Sequence, residues 1–270
     1  MNTNWIKGVG VNAFAWRARL RVAWMHFLIS AFIASFMVAT VLPLWYPVAY
    51  WNVAGGWNLL SLLLGIDICL GPLVTFVVFD LQKSAVVLKR EFVLVAFLQA
   101  AALIYGISVA AEARPVALVF SIDRFTLVSA NNVRQEELPH ATSEFQRLSW
   151  SGPWMLATRL STDTEVFDAV ILATQGFDLA QRPKYWEPFS KHQQQAYLRS
   201  RPLSELLNRF SLSAPEFCKA YLTLPCIINE VRFLPLEARA GNWVVLLSPV
   251  GKVLGFAPFD GFEQVVGNIR

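Results

Sequence analysis

Charge is scarce in this sequence, and the scarcity is uneven. Only 16% of its 270 residues are Asp, Glu, Lys or Arg, against about 25% in an ordinary soluble domain. The shortage is concentrated in residues 22–111, whereas the rest of the chain carries ordinary charge. This split predicts a membrane-embedded part followed by a water-soluble part, rather than one globular core.

Catalytic signals are also missing. The chain contains no G-x-S-x-G, Walker or H-E-x-x-H pattern, and its three histidines, His26, His140 and His192, form no close metal-ligand spacing. We therefore expect no catalytic residues, no metal and no cofactor, although a triad assembled from distant residues stays open at this point. The net charge of +4 does not indicate nucleic-acid binding, because no run of Lys and Arg is interleaved with aromatic residues.

Three apolar stretches are long enough to cross the roughly 30 Å hydrocarbon layer of a bilayer as helices. They are residues 22–42, residues 57–79, which contain Asp67, and residues 92–111. The first is too long for the h-region of a signal peptide, which has about 7 to 15 residues, and no cleavage site follows it. We predict three transmembrane helices.

The basic residues around these stretches set the expected orientation. They precede the first stretch or separate the second from the third, and the loop at residues 43–56 has no Lys or Arg. By the positive-inside rule the N-terminus and the second loop are cytoplasmic, and the chain after Glu112 lies outside. The basic residues are Lys7, Arg17, Arg19, Arg21, Lys83, Lys89 and Arg90. Aromatic residues expected to form an interfacial belt at the first loop are Trp45, Tyr46, Tyr50, Trp51 and Trp57.

This topology predicts an integral membrane protein with three N-terminal transmembrane α-helices and a C-terminal α+β periplasmic domain. Residues 1–21 form the basic cytoplasmic N-terminus, residues 22–112 the transmembrane region, and residues 113–270 the periplasmic domain. In that domain, strands are expected at residues 116–121, 125–130, 227–236, 242–248 and 252–259. Helices are expected at residues 190–200, 202–210 and 215–223.

One more helix is predicted after residue 162. Thr162 and Glu165 form a capping box, and Gly176 is a natural helix end. The apolar stripe of this helix consists of Val166, Phe167, Val170 and Ile171.

Asp67 lies near the middle of the second apolar stretch, where a charged side chain is unfavourable. A central Asp costs about 2.5 to 3.5 kcal/mol and each apolar neighbour returns roughly 0.3 to 0.6 kcal/mol, so the helix is still expected to insert. Gly71 allows close approach and Pro72 removes a backbone donor, which makes the segment polar and kinked. Three roles stay open for Asp67: an internal hydrogen bond to Ser35 or Gln99, a docking point for a partner's transmembrane helix, or a proton path.

Two features of the C-terminal part have both a functional and a structural interpretation. Cys218 and Cys226 are predicted to form a disulfide in an oxidising periplasm, with two buried thiols as the alternative. Asp123 and Arg124, between two predicted strands, form either a binding edge or a charged hairpin turn.

Three segments together resemble one protein family. They are GIDICLGPLVTFVVFD at residues 65–80, ARPVALVFSIDRFTLVSAN at residues 113–131, and the closing RFLPL and WVVLLSPVGKVLGFAPFD. Their combination and order resemble the type IV pilin accessory proteins of the TfpX/TfpZ, FimB-like kind, over nearly the whole chain. The residues before Arg17 are an extension that departs from this pattern, and their role stays open.

The resemblance implies a non-enzymatic inner-membrane helper of type IV pilus biogenesis, which serves a major pilin in its stability, assembly or surface display. A membrane-anchored pilin has one apolar N-terminal helix with a buried carboxylate and a charged amine. We hypothesise that the second span receives this helix and that a strand edge near residues 116–130 covers the pilin's globular domain. The residues of this hypothesis are Asp67, Gly71, Pro72, Gln99, Asp123 and Arg124.

The main alternative is a membrane-anchored envelope assembly or sensor protein without a pilin client. A sensor needs a cytoplasmic output domain, and the predicted cytoplasmic parts have only about 20 and 11 residues. A transporter needs more spans and more polar residues inside the membrane. The sequence leaves open which pilin is served and the oligomeric state.

Overall fold

The computed structural model describes residues 5–80, 82–222 and 227–262, without the side chains of residues 5–15, 41–42, 59–60, 62–64 and 66–67. The chain divides into two compact units. Met1–Pro43 and Trp57–Ala111 form what we call the helical unit, and Leu44–Gly56 and Glu112–Arg270 form the sheet unit.

The helical unit is built from three apolar helices, α1 (Trp5–Trp45), α2 (Gly56–Val78) and α3 (Ala85–Ala113). Trp16–Trp45 and all of α3 are long and apolar enough to cross a membrane, and only 6% of the most apolar window of each is buried. The core helix of a soluble protein would be mostly buried, so these helices lack the protein cover that such a helix has. Within α2 the fully described apolar stretch, Ile68–Val78, is shorter. The transmembrane helix predicted at residues 57–79 therefore stays a prediction.

Ion pairs join the helix ends that carry basic residues. Arg19 of α1 pairs with Asp80, just after α2, at 3.3 Å. Lys83, between α2 and α3, donates to Glu91 of α3 at 2.6 Å and to the carbonyl of Val78 at 2.9 Å. Partly exposed pairs of this kind contribute only about 0 to 1 kcal/mol each, so they orient the loop more than they stabilise the unit.

The predicted interfacial aromatic belt is wrong for Tyr46 and Tyr50. Their segment, Leu44–Gly56, is part of the sheet unit. Tyr46 is only 1% exposed there, and the Tyr50 ring lies 5.1 Å from the ring of Phe256. Burial raises the pKa of both phenols to about 12. These rings gain contacts with protein rather than with lipid headgroups, whereas Trp57 is 63% exposed, as a belt residue would be.

The sheet unit is built around an eight-stranded mixed sheet, with the spatial order β4-β3-β1-β2-β6-β7-β8 and with β5 paired to β6. The β1–β3 and β2–β6 pairs are parallel and the other pairs are antiparallel. The strands are β1 (Pro115–Ser121), β2 (Arg124–Ser129), β3 (Trp154–Thr158), β4 (Trp186–Pro188), β5 (Arg201–Pro202), β6 (Arg232–Ala238), β7 (Gly241–Leu247) and β8 (Val253–Ala257).

The hairpin of β1 and β2 lies inside the sheet rather than at its edge. β1 pairs with β2 and with β3, and each of its residues is buried. β2 pairs with β6 through Phe125 and Thr126. The expectation of a strand edge at residues 116–130 is therefore wrong, because strands distant in sequence flank the hairpin on both sides. Among the described strands, β4 and β8 end the sheet.

Among its described residues, the sheet unit also has four α-helices: α4 (Val166–Thr174), α5 (Gln193–Arg199), α6 (Leu203–Arg209) and α7 (Ala214–Tyr221). Each lies at its predicted place, and α4 ends before Gly176, whose φ of +90° suits glycine. Leu206 of α6 and Phe217 of α7 belong to one core cluster with Phe233 of β6 and Val244 of β7. Four of the predicted strands are confirmed, and the one predicted at residues 227–236 begins only at Arg232, because Ile228–Glu230 form a 3-10 helix. The sequence-based prediction lacks β3, β4 and β5.

Cys218 of α7 is disulfide-bonded, and Cys69 is free. Cys226 lies outside the described residues, so the Cys218–Cys226 pair stays a prediction.

Replacing Cys218 by Ala should lower the unfolding free energy of the sheet unit by roughly 2 to 3 kcal/mol. In the predicted pair with Cys226, the disulfide closes a short loop and so restricts the unfolded chain only modestly. Thermal unfolding of the full chain in detergent measures the effect, and Cys69→Ala is the matched control without a bridge to lose. A Cys218 thiol that reacts with maleimide before reduction would contradict the prediction.

Candidate partner-binding site

A polar cluster joins all three helices of the helical unit. His26 of α1 lies with Nδ1 2.5 Å from the Thr75 hydroxyl of α2 and with Nε2 2.6 Å from Oε1 of Gln99 of α3. An amide oxygen only accepts, so Nε2 donates to Oε1 of Gln99, while Nδ1 forms a hydrogen bond with the Thr75 hydroxyl. Thr75 is 1% exposed. One imidazole therefore connects three helices that are otherwise apolar.

Gly71 makes room for this cluster. A Cβ atom at Gly71 would lie 1.8 Å from Nε2 and 2.6 Å from Cδ of Gln99. The Gln99 amide therefore packs directly against the backbone of α2, where any side chain would displace it. α2 continues through Pro72 to Val78, so the proline lies inside the helix, next to this contact.

An apolar groove of about 340 Å³ lies between α1 and α3. Its walls include small residues from both helices, which in a bilayer allow another helix to approach closely. Ala34, on the α1 side, is buried, and Ala100, on the α3 side, is exposed within the groove. His26 and Gln99 also line it, so the groove combines an apolar surface with a polar group. The small residues are Ser30, Ala34, Ala96 and Ala100.

The structure brings together two of the predicted site residues of the helical unit, Gly71 and Gln99, and places Pro72 beside them. The side chain of Asp67 lies outside the described residues, and its role stays a prediction. His26 and Thr75 are missing from the predicted set. Their signal in the sequence is a polar residue inside an apolar stretch, the same signal that singled out Asp67 and Gln99.

Asp123 and Arg124 lie at the connection between β1 and β2. Ser121 pairs with Arg124, which leaves Ile122 and Asp123 as the turn. Asp123 accepts from Arg124 Nε at 3.0 Å, and the Arg124 guanidinium lies 5.2 Å from the centre of the Phe262 ring. The geometry matches the hairpin-turn interpretation. Ile122 is 52% exposed with a φ of +58°, a conformation that is unusual for a β-branched residue.

The carboxylate of Asp168 joins α4 to the rest of the sheet unit. It accepts from Arg182 Nη2 at 2.7 Å and from Lys184 Nζ at 3.1 Å. Arg182 is fully buried and also donates to Glu137 Oε1 from Nη2 at 2.8 Å and from Nε at 3.0 Å. The hydrogen bonds from Arg182 and Lys184 lower the pKa of Asp168, so this carboxylate is charged at neutral pH.

A second carboxylate acts in the same way at the start of α4. Arg159 donates to both oxygens of Glu165, at 2.8 and 2.9 Å. The Thr162 backbone N–H donates to Glu165 Oε2 at 3.0 Å, which is one half of the predicted capping box. These bonds, the Arg159 pair first, hold the pKa of Glu165 well below its usual range. Both anchoring carboxylates of α4 are therefore engaged with partners on the sheet unit.

The apolar stripe predicted on α4 is exposed. The exposed fractions are 47% for Val166, 76% for Phe167, 58% for Val170 and 40% for Ile171, while Leu172 is buried. We call these four exposed residues the α4 face.

Several titratable groups in the sheet unit form pairs with one another. His192, for example, lies 2.9 Å from Glu187 and 3.1 Å from Gln195. Across residues 5–80, 82–222 and 227–262, no group of three or more His, Cys, Asp or Glu side chains is placed to hold a metal ion.

Comparison with known proteins identifies the family. Residues 14–55 match the family model described as fimbrial assembly protein FimB. The fimbrial assembly proteins of serogroups I and E1 from Dichelobacter nodosus are each 32% identical to this chain over 246 residues, 90% of this chain and 96% of the relative. The chain belongs to the fimbrial assembly protein family.

A third fimbrial assembly protein, of serogroups C1 and C2 from the same organism, is 36% identical over 121 residues, which is 45% of this chain and 92% of the relative. No solved structure gives a significant match. The resemblance to FimB-like proteins, drawn from three segments of the sequence, is confirmed.

In this fimbrial assembly protein, Gly71→Ala should lower the thermal unfolding temperature of the full chain in detergent, because the added methyl group displaces Gln99. Gly65→Ala, on the same helix with nothing within 4 Å, is the matched control and should not lower it. The double variant Gly71→Ala/Gln99→Ala removes the Gln99 side chain that clashes with the added methyl group, and it should recover part of the lost unfolding temperature. Equal unfolding temperatures for the two single variants would contradict the packing account.

Proposed function

We propose that this fimbrial assembly protein is a non-enzymatic accessory factor of the bacterial inner membrane that binds the membrane-anchored type IV pilin and promotes its stability, assembly or surface display. Family membership supports a role in pilus assembly. The length and exposure of Trp16–Trp45 and of α3 support a membrane location. In the proposed topology all three helices span the membrane, the N-terminus is cytoplasmic and the sheet unit is periplasmic.

The groove between α1 and α3 is the observation that carries the choice of partner. Inside a bilayer the hydrophobic effect does not drive helices together, so association depends on close packing and on hydrogen bonds. The groove offers close packing through Ser30, Ala34 and Ala100, and His26 and Gln99, which bond to each other, also line it. A pilin anchored by one apolar helix presents the complementary surface. We place that helix in this groove.

The predicted site residues on α2 take different parts in this proposal. Gly71 positions Gln99 rather than contacts the pilin, because the space beside Gly71 is filled by Gln99 itself. The part of Pro72 stays a hypothesis. Asp67 lies on α2, which contributes no described residue to the groove lining, so the hypothesis that it receives the pilin's terminal amine or shares a proton with its carboxylate is separate from the groove.

The direct test of the function is a clean deletion, scored for total pilin by immunoblot and for sheared surface pili. We expect surface pili to be lost and to return with the intact gene. Pilin that disappears indicates stabilisation, and pilin that remains in the cell indicates assembly or display. Unchanged pilin and unchanged surface pili would refute the pilin role.

The same strain tests the groove. Ala100→Phe fills it, and losing about 1.4 kcal/mol of packing lowers binding about tenfold, so this variant should restore few surface pili. Leu98→Phe, at a position 58% exposed on the same helix and outside the groove lining, is the control and should restore them fully. Immunoblots confirm equal levels of both variants. Full restoration by Ala100→Phe would move the pilin helix out of this groove.

A further inference from the structure

We propose that the α4 face is a docking surface for the globular domain of the pilin. This inference rests on the proposed function, because it assigns a second contact to the same partner. Val166 and Val170, and likewise Phe167 and Ile171, are spaced by four residues and so lie next to each other along one side of the helix. Such a stripe is the kind of surface that binds in an apolar groove of another protein.

The outward direction of the α4 face is built into the sheet unit. A surface helix ordinarily turns its apolar stripe to the core and its charges to water. In α4 the buried residue is Leu172, whereas the four residues of the α4 face are exposed, and the helix is also held by the half-exposed Asp168 bonded to buried Arg182 and by Glu165 bonded to Arg159. Turning the apolar face inward would take Asp168 away from Arg182 and weaken the compensation of a buried guanidinium. The exposed stripe is thus the stable state of the isolated chain.

The charges around α4 favour a protein over a lipid surface. Residues 161–181 contain four acidic residues and no Lys or Arg. Glu165 and Asp168 are neutralised by their partners, whereas Asp163 and Asp178 have no cationic partner among the described ion pairs. Helices that lie on membranes carry Lys and Arg for anionic headgroups, which this segment lacks. A partner with an apolar patch bordered by Lys or Arg complements it.

A second copy of the chain fits the α4 face poorly. Two identical acidic segments would repel each other across a symmetric contact. A stable dimer also needs about 800 Å² from each partner, more than the outer side of a nine-residue helix provides. A pilin that is already bound through its transmembrane helix needs a much smaller contact area, because a second contact to a tethered partner forms at high effective concentration. The small α4 face therefore suits a tethered client.

Photo-crosslinking tests the contact in the full chain in native membranes. Phe167→p-benzoylphenylalanine should give an adduct that anti-pilin antibody detects, and Val250→p-benzoylphenylalanine, at an exposed apolar position in the β7–β8 turn, should not. An adduct with a second copy of this chain, an adduct with lipid alone, or no adduct would each overturn the proposal. The deletion experiment separates this outcome from failure of the proposed function. If surface pili depend on the gene but position 167 gives no pilin adduct, only the docking role of the α4 face is refuted.

A double substitution provides an independent measure. Phe167→Ser/Val170→Ser should leave the thermal unfolding temperature unchanged, since both side chains are exposed. The amount of pilin that copurifies with the tagged chain from detergent-solubilised membranes should fall about tenfold, the effect of a modest loss of apolar contact. Val250→Ser is the matched control and should retain pilin. Unchanged pilin recovery with the double variant would overturn the proposal.

Discussion

The bridge made by His26 is the interaction on which the arrangement of the helical unit depends. Apolar helices in a bilayer gain little from apolar contact alone, because lipid tails provide it equally well. A ring that bonds both Thr75 of α2 and Gln99 of α3 fixes α1 against the other two helices. Gly71 makes this possible by leaving space for the Gln99 amide. The groove between α1 and α3 lies at this bridge, because His26 and Gln99 line it together with small residues of both helices.

A buried charge plays the corresponding part in the sheet unit. Arg182 is fully buried, so its guanidinium charge must be compensated. It donates hydrogen bonds to the carboxylates of Glu137 and of Asp168 on α4. This ion pair helps to hold α4 in an orientation in which Leu172 is buried and the α4 face is exposed. Both units thus use polar interactions to hold the structure and leave apolar surface exposed. That division of roles is suited to a protein whose partner is itself apolar and membrane-anchored.

Much of the fold could be predicted from sequence, and the failures have physical causes. The strands around Ile122 and the helices α5 to α7 were predictable because their signals are local: alternating apolar residues, caps and prolines. The β3 strand is five residues long and depends on parallel pairing with β1, a partner that no local pattern reveals. The stripe of α4 was visible, but periodicity shows which residues share a face and not which face meets the core; that choice depends on Arg182. The sequence predicts an interfacial position for Tyr46, because composition alone does not show that its loop belongs to the sheet unit.

The central claim is that a pilin helix occupies the groove between α1 and α3. Cysteine crosslinking measures it most directly, with Ala100→Cys in a Cys69→Ala chain, single cysteines placed along the pilin's apolar helix, and oxidation in native membranes. The account predicts disulfide adducts that recur with the helical period, on one side of the pilin helix, and no such adducts with Leu98→Cys. Adducts with neither cysteine, or equal adducts with both, would contradict it.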